Sequence, residues 1–234
     1  MFRFLAVTLM AFLVAFATAV SAQAQEGLYT PRVLVIGDSL LDWHRITRQT
    51  IPDNLAAQTG WPVESRALSG AKMYHTGSET KQAQVIPLQY EAARAQGPWD
   101  WVVISGGAND LLTRCGCAGC ARTLNGLIAE GHKTGIIPDL VRRIRRDGAQ
   151  VAMVGYIGNP RLNLFSGCRD EVRAMARRQV AMAQGDPGVI YVSARAAVNP
   201  KRRSTFALDG IHPSRKSTRA VAAALAEALQ AARP

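Results

Sequence analysis

Asp209 and His212 stand three residues apart in Asp209-Gly210-Ile211-His212-Pro213-Ser214. In a loop, that spacing lets a carboxylate hold one nitrogen of an imidazole. The other nitrogen is then left to take a proton from a hydroxyl, and the carboxylate stabilises the imidazolium that results. A hydroxyl for that role stands far upstream, as Ser39 in Gly37-Asp38-Ser39-Leu40. Ser39 read alone is equally an N-cap, a common role for serine where a helix starts. Read alone, Asp209 and His212 are a cap and a surface histidine. Acyl transfer to a serine further needs hydrogen-bond donors aimed at the developing oxyanion. Gly70, in Ser69-Gly70-Ala71, offers a bare backbone N–H, and Asn109, in Gly107-Ala108-Asn109-Asp110, offers a side-chain amide.

These residues are useful only if the fold brings them to one place. Short apolar runs at Val33–Ile36, Val63–Ala67, Trp101–Ile104, Val151–Val154 and Val189–Val192 read as five buried strands. Helical periods alternate with them over Leu40–Gln58, Thr80–Ala95 (kinked at Pro87), Leu124–Arg146 (with a possible break at Gly131–Gly135), Arg169–Gln184 and Ser214–Ala232. Strand and helix in alternation predict a parallel sheet covered on both faces, a three-layer α/β/α domain. Right-handed crossovers put every loop that follows a strand on one edge. Ser39, Gly70, Asn109 and the Asp209–His212 pair all follow strands, so they converge there. Asp38 and Asp110 are expected to organise their turns. Trp43 and His44 are expected to pack or cap more than to reach the site rim. His75 and His132 read as surface residues, and Arg114 is a weaker candidate for an acidic substrate group.

Taken together and in this order, the four blocks resemble the SGNH, or GDSL, hydrolase family. The resemblance spans residues 37 to 213. It implies a flavodoxin-like fold with a five-stranded parallel sheet, and serine esterase or lipase chemistry without metal or organic cofactor. It further implies Ser39 as nucleophile, His212 as base then acid, and Asp209 as its orienting partner. The Ser39 and Gly70 N–H groups and the Asn109 amide would form the oxyanion hole. Within that class the first expectation is an O-acetyl esterase acting on a glycan. The alternatives are a lysophospholipase or thioesterase, or a non-catalytic envelope carbohydrate-binding module.

The N-terminus has its own logic. Arg3 precedes an uncharged apolar stretch, Phe4 to Val20, and Ala22-Gln23-Ala24 supplies small residues for cleavage. That pattern predicts a signal peptide over residues 1–24, one domain over 25–234, and a secreted or periplasmic protein with no membrane span after cleavage. An uncleaved anchor is the competing reading, because the stretch is only just short of a span. Export bears on Cys115, Cys117, Cys120 and Cys168. An even count in an oxidising compartment favours two disulfides over a tetrathiolate metal site or a redox-active pair. The expected arrangement joins one clustered cysteine to Cys168 and the other two to each other.

The 234 residues carry 28 Lys and Arg against 17 Asp and Glu, a formal charge of +11. Aromatic residues do not interleave with the basic ones, so a nucleic-acid stacking platform is not expected. The charge reads as solvated surface with a weak attraction to anionic envelope surfaces. At 48% hydrophobic, the chain has the composition of a globular domain and not of a disordered one.

Overall fold

The structure is a computed structural model that describes residues 29–75, 77 and 82–232. The signal segment expected over 1–24 lies outside the described residues, as does the domain boundary at 25. The chain divides into two units, Met1–Pro31 and Arg32–Pro234. Of the first, only residues 29–31 are described; the second carries the fold.

Five parallel strands form one sheet: β1 (Val33–Gly37), β2 (Val63–Ser65), β3 (Trp101–Ser105), β4 (Gln150–Gly155) and β5 (Val189–Ser193), in the order β2-β1-β3-β4-β5. β2 stops two residues short of the expected Ala67. Single backbone bonds from Arg66 to Val35 (2.8 Å) and from Leu68 to Gly37 (3.0 Å) prolong its pairing with β1. Eight helices are described: α1 (Ser39–Asp42), α2 (Ile51–Thr59), α3 (Ile86–Arg94), α4 (Ala108–Cys115), α5 (Ala121–Leu127), α6 (Ile136–Arg146), α7 (Arg169–Gln184) and α8 (Arg215–Ala231).

Alternation along each strand divides the core in two. Leu34, Ile36, Val102, Ile104, Val151 and Met153 pack with residues of α3 to α7. Val33, Val35, Trp101, Val103, Ala152 and Val154 pack with residues of α1, α2 and α8. This is why the central strands read as unbroken apolar runs: each side chain is buried, whichever face it takes. Each such aliphatic contributes roughly 1.5–3 kcal/mol.

The strand order reverses between β1 and β3. The chain leaves β1 toward β2 and returns to build β3, β4 and β5 on the other side. The two connections therefore separate at the C-terminal ends of β1 and β3, and open a crevice there.

Two helical expectations change, and a third, the break at Gly131–Gly135, is met. The single helix expected over Leu40–Gln58 is α1, a 3₁₀ turn at Arg45–Thr47, and α2. His44 (φ 73°) and Arg48 (φ 51°) turn left-handed and break the period. Thr50 and Asp53 then close a reciprocal capping box with Pro52 in the first turn, so α2 starts afresh. The expected helix start at Thr80 lies outside the described residues; Pro87 sits in the first turn of α3, which begins at Ile86, and kinks nothing there. The period over Leu124–Arg146 is broken where glycines allowed it. Gly135 adopts φ 118°, and a Cβ there would lie 2.7 Å from the Leu127 carbonyl oxygen.

Candidate active site

β1 ends against β3 so closely that a Cβ on Gly37 would lie 2.5 Å from the Ser105 carbonyl oxygen. The buried Gln89 amide completes this strand end. Its Oε1 accepts from Gly37 N–H (2.7 Å), and its Nε2 donates to Gly37 O (3.1 Å) and Ala83 O (2.7 Å). The chain then passes through Asp38, which caps α1 by accepting from Leu40 N–H (3.1 Å). Ser39 opens α1, half-buried, on the wall of a cavity of about 450 Å³.

Asp38 does organise its turn, and it has a second partner. The Tyr156 hydroxyl donates to its other carboxylate oxygen (2.5 Å) and accepts from Ala108 N–H (3.2 Å). Burial pushes the Asp38 pKa up to about 6, against the opposing hydrogen bonds from Tyr156 and Leu40. Burial, with the Asp38 charge, pushes the Tyr156 phenol well above its ordinary value. At neutral pH, then, a carboxylate faces a neutral phenol. The chain Asp38–Tyr156–Ala108 links the turn that carries Ser39 to the start of α4, which carries Asn109.

The other two loops are tied in by buried acids. Asp110 accepts from the N–H groups of Met73 and Tyr74, each at 2.9 Å, as expected of a turn organiser. Burial raises its pKa, against those same bonds. Asp42, at the end of α1, accepts from Ser69 N–H (2.9 Å) and Ser69 Oγ (2.8 Å). Asn109 Nδ2 donates one hydrogen to Ala71 O (3.0 Å), which leaves its second for a ligand. Gly70 lies between these anchors with φ 83°, a conformation that favours glycine. It is exposed and lies outside the cavity wall, whereas Ser39, Asn109 and His212 line it.

Asp209 and His212 form the expected pair. Asp209 Oδ2 lies 2.5 Å from His212 Nδ1, and Oδ1 accepts from the N–H groups of Ile211 (2.9 Å) and His212 (3.1 Å). Partial burial works against the Asp209 carboxylate. The bonds from the His212 ring and the two backbone groups outweigh it and hold its pKa below the ordinary value. With Nδ1 engaged, Nε2 is the ring nitrogen free for proton transfer. The loop is tied to the segment after β4, where Asn159 Nδ2 donates to Gly210 O (2.6 Å), and closed on itself, where His212 O accepts from Ala207 N–H (2.8 Å).

Trp43 and His44 do more than pack. The Trp43 indole stacks on the His212 imidazole, with ring centroids 3.7 Å apart and planes within 8°. His44 Nε2 lies 3.0 Å from Pro213 O. The break between α1 and α2 puts both residues there, which a continuous helix would not. Arg114 is redirected too: its guanidinium lies 4.0 Å over the Tyr74 ring and away from the cavity. His75 and His132 also lie outside the cavity wall. Sequence reasoning missed Tyr156, Asp42 and Gln89. Tyr156 had a usable signal, as the first residue beyond β4 on the functional edge.

Two disulfides form, as expected; the choice of clustered cysteine, which the sequence left open, falls on Cys117 for Cys168, and Cys115 pairs with Cys120. α4 ends at Gly116 (φ 58°), whose N–H bonds the carbonyls of Leu111 and Leu112. Cys117–Cys168 thus staples the loop after the Asn109 helix to the start of α7, and Cys115–Cys120 closes that loop on itself. Among the described residues, no group of three or more His, Cys, Asp or Glu is placed to hold a metal ion.

A comparison with curated protein sequences gives no match. Solved structures do match. A carbohydrate acetylesterase family member from Sinorhizobium meliloti superposes with a TM-score of 0.63 at 17% identity, over 87% of this chain and 99% of that one. A GDSL-like lipase from Bacteroides thetaiotaomicron gives 0.60 at 16% identity, over 91% and 96%. The M. smegmatis aryl esterase gives 0.57 at 21% identity, over 87% and 100%. At these identities the likeness is one of fold. The family model that describes the GDSL-like lipases and acylhydrolases matches residues 35–220, from β1 into α8, and on that match the chain belongs to the GDSL-like lipase/acylhydrolase family.

Proposed function

We propose that this carboxylic ester hydrolase works through an acyl-enzyme on Ser39, outside the cytoplasm. The observation that carries the reading is the Asp209–His212 pair at 2.5 Å, whose histidine lines the same cavity as the serine that opens α1. Ser39 Oγ attacks the ester carbonyl carbon while His212 Nε2 takes its proton. Asp209 holds Nδ1–H and stabilises the imidazolium. The negative charge moves to the carbonyl oxygen, where the Ser39 N–H and the free Asn109 hydrogen are the donors from the cavity wall and the Gly70 N–H is the third donor that the family resemblance implies. Collapse breaks the bond to the alcohol oxygen, which leaves with the proton from His212. Water then repeats the sequence on the acyl-enzyme.

Within the class, O-deacetylation of a glycan is supported by the fold shared with the S. meliloti carbohydrate acetylesterases. A lysophospholipase or thioesterase is the second reading, favoured by the apolar side chains of Val172, Met175 and Val180 in the cavity wall. Export rests on the pattern of residues 1–24 and is consistent with two disulfides.

Ser39→Ala tests the nucleophile. The variant stays folded, loses fluorophosphonate labelling, and loses about 10⁴- to 10⁶-fold in kcat on a chromogenic ester. Turnover within tenfold of wild type rejects the assignment. An active site that never turns over any ester, with folding intact, favours the binding-module alternative.

A further inference from the structure

The cavity that holds Ser39 and His212 continues along α7 and the loops after β4 and β5. Val172, Met175, Ala176 and Val180 recur on α7 at helical spacing and give it an apolar wall. Arg169, Arg173 and Arg177 recur every four residues on the flank of that wall. Arg195, two residues beyond β5, borders the same space. Four guanidinium groups therefore meet one carboxylate among the residues of the wall. That carboxylate is Asp38, buried and already bonded by Tyr156 and Leu40.

The protein does little to neutralise these arginines. Among the described residues, Arg195 Nη1 donates only to the carbonyl oxygens of Ile157 (3.2 Å) and Gly158 (3.1 Å). Arg169 Nη2 donates to Arg161 O (3.2 Å), while its Nε is buried with no acceptor. Arg177 has no hydrogen bond or ion pair among the described residues. Arg173 pairs with Asp170 at 3.1 Å, but both side chains are exposed, and such a pair contributes little. A buried donor without an acceptor is costly, and its presence at a cavity wall marks where an acceptor belongs. Guanidinium groups take carboxylate and phosphate oxygens through paired N–H donors.

We propose that this arginine flank is an anion subsite, and that the preferred ester carries a carboxylate or phosphate on the chain laid along α7. The proposal rests on the esterase reading above. Ser39 engages the carbonyl, the apolar wall takes the chain, and the arginines take its charged end. Arg169 to Arg177 spans roughly 12 Å of helix, room for a chain of several methylenes.

Two matched ester pairs test it. In the carboxylate arm, 4-nitrophenyl hydrogen adipate is compared with 4-nitrophenyl hexanoate. In the phosphate arm, the 4-nitrophenyl ester of 6-(phosphonooxy)hexanoic acid is compared with that of 6-hydroxyhexanoic acid. Wild type is expected to favour the anionic member of at least one pair by about tenfold in kcat/KM. The arm that responds identifies the source of the charge. Arg177→Glu abolishes that preference and leaves the neutral ester within about twofold; added salt narrows the same gap. Equal rates within both pairs, or an equal loss on charged and neutral esters in the variant, overturn the subsite. If no ester is turned over, the esterase reading fails by itself, and calorimetry with octyl phosphate decides the subsite. Binding that Arg177→Glu weakens about tenfold supports it, and no binding to wild type overturns it.

Discussion

Deleting the Cys117–Cys168 bond should cost more than deleting Cys115–Cys120, by an amount set by chain length. The bonds span 51 and 5 residues. In the chain-entropy model, a closed loop of 51 residues removes about 4 kcal/mol of unfolded-state freedom at 25 °C, and one of 5 residues removes about 2 kcal/mol. Substituting both cysteines of a pair by serine also perturbs packing. That perturbation is similar for the two pairs, because each contains one fully buried member, Cys168 at 0% and Cys120 at 2% exposure. The difference of about 2 kcal/mol is therefore the loop term. At about 2–4 °C per kcal/mol for a domain of this size, the Cys117→Ser/Cys168→Ser variant should melt about 4–8 °C below the Cys115→Ser/Cys120→Ser variant. Thermal unfolding of the two variants and wild type, all kept oxidised, gives the comparison. Equal melting temperatures, or a larger loss from the short-range pair, would refute the reasoning and mean that local shape outweighs loop closure.

Asn109→Ala should lower kcat by about 10²–10³-fold with KM little changed, while fluorophosphonate labelling slows but persists; a rise in KM alone would make Asn109 a ground-state contact. Asp209→Asn should cut turnover strongly without unfolding the protein, as circular dichroism beside an ester assay will tell. Trp43→Ala should lower kcat by about 2- to 10-fold, the worth of an aromatic stack of roughly 0.5–1.5 kcal/mol, and Trp43→Phe should restore most of it. Asp38 binds its proton more tightly folded than unfolded. Its contribution to stability should therefore fall as pH rises from about 4 through about 6, then level off. Carboxyl NMR resolves that titration. In Tyr156→Phe, which lacks the lowering hydrogen bond, it should move above 6, and an unmoved midpoint would contradict the Asp38–Tyr156 contact.

What the sequence made legible follows from how local each signal is. The strands could be read because β1, β3 and β4 are buried on both faces, which leaves an apolar run that no helix period imitates. The candidate blocks could be read because each lies in a connection that follows a strand: Ser39 and Asn109 within a few residues of the ends of β1 and β3, and the Asp209–His212 pair in the long connection between β5 and α8. The helix over Leu40–Gln58 was misread because its breaks use left-handed His44 and Arg48, where a glycine would have given the turn away. The Thr50-Ile51-Pro52-Asp53 signal for a new start was present and carries a known mechanism. The contacts of Trp43 with His212 and of Tyr156 with Asp38 bridge more than 100 residues of sequence. Nothing in the local pattern of either partner announces the other. The pairing of Cys117 with Cys168 was legible only as one of several choices, because loop geometry selects which clustered thiol faces α7.

The stack of Trp43 on His212 also gives the protein an internal optical probe. Trp61, Trp99 and Trp101 are buried in the core, whereas Trp43 lies face to face with an imidazole. An excited indole is quenched when the ring against it carries a proton, so Trp43 emission reports the charge state of His212. Emission should differ between wild type and His212→Gln, in which no imidazole faces the indole. The same signal, followed in stopped flow after mixing with an ester, would show when the imidazole gains its proton and when it gives it up, without a label and on any substrate.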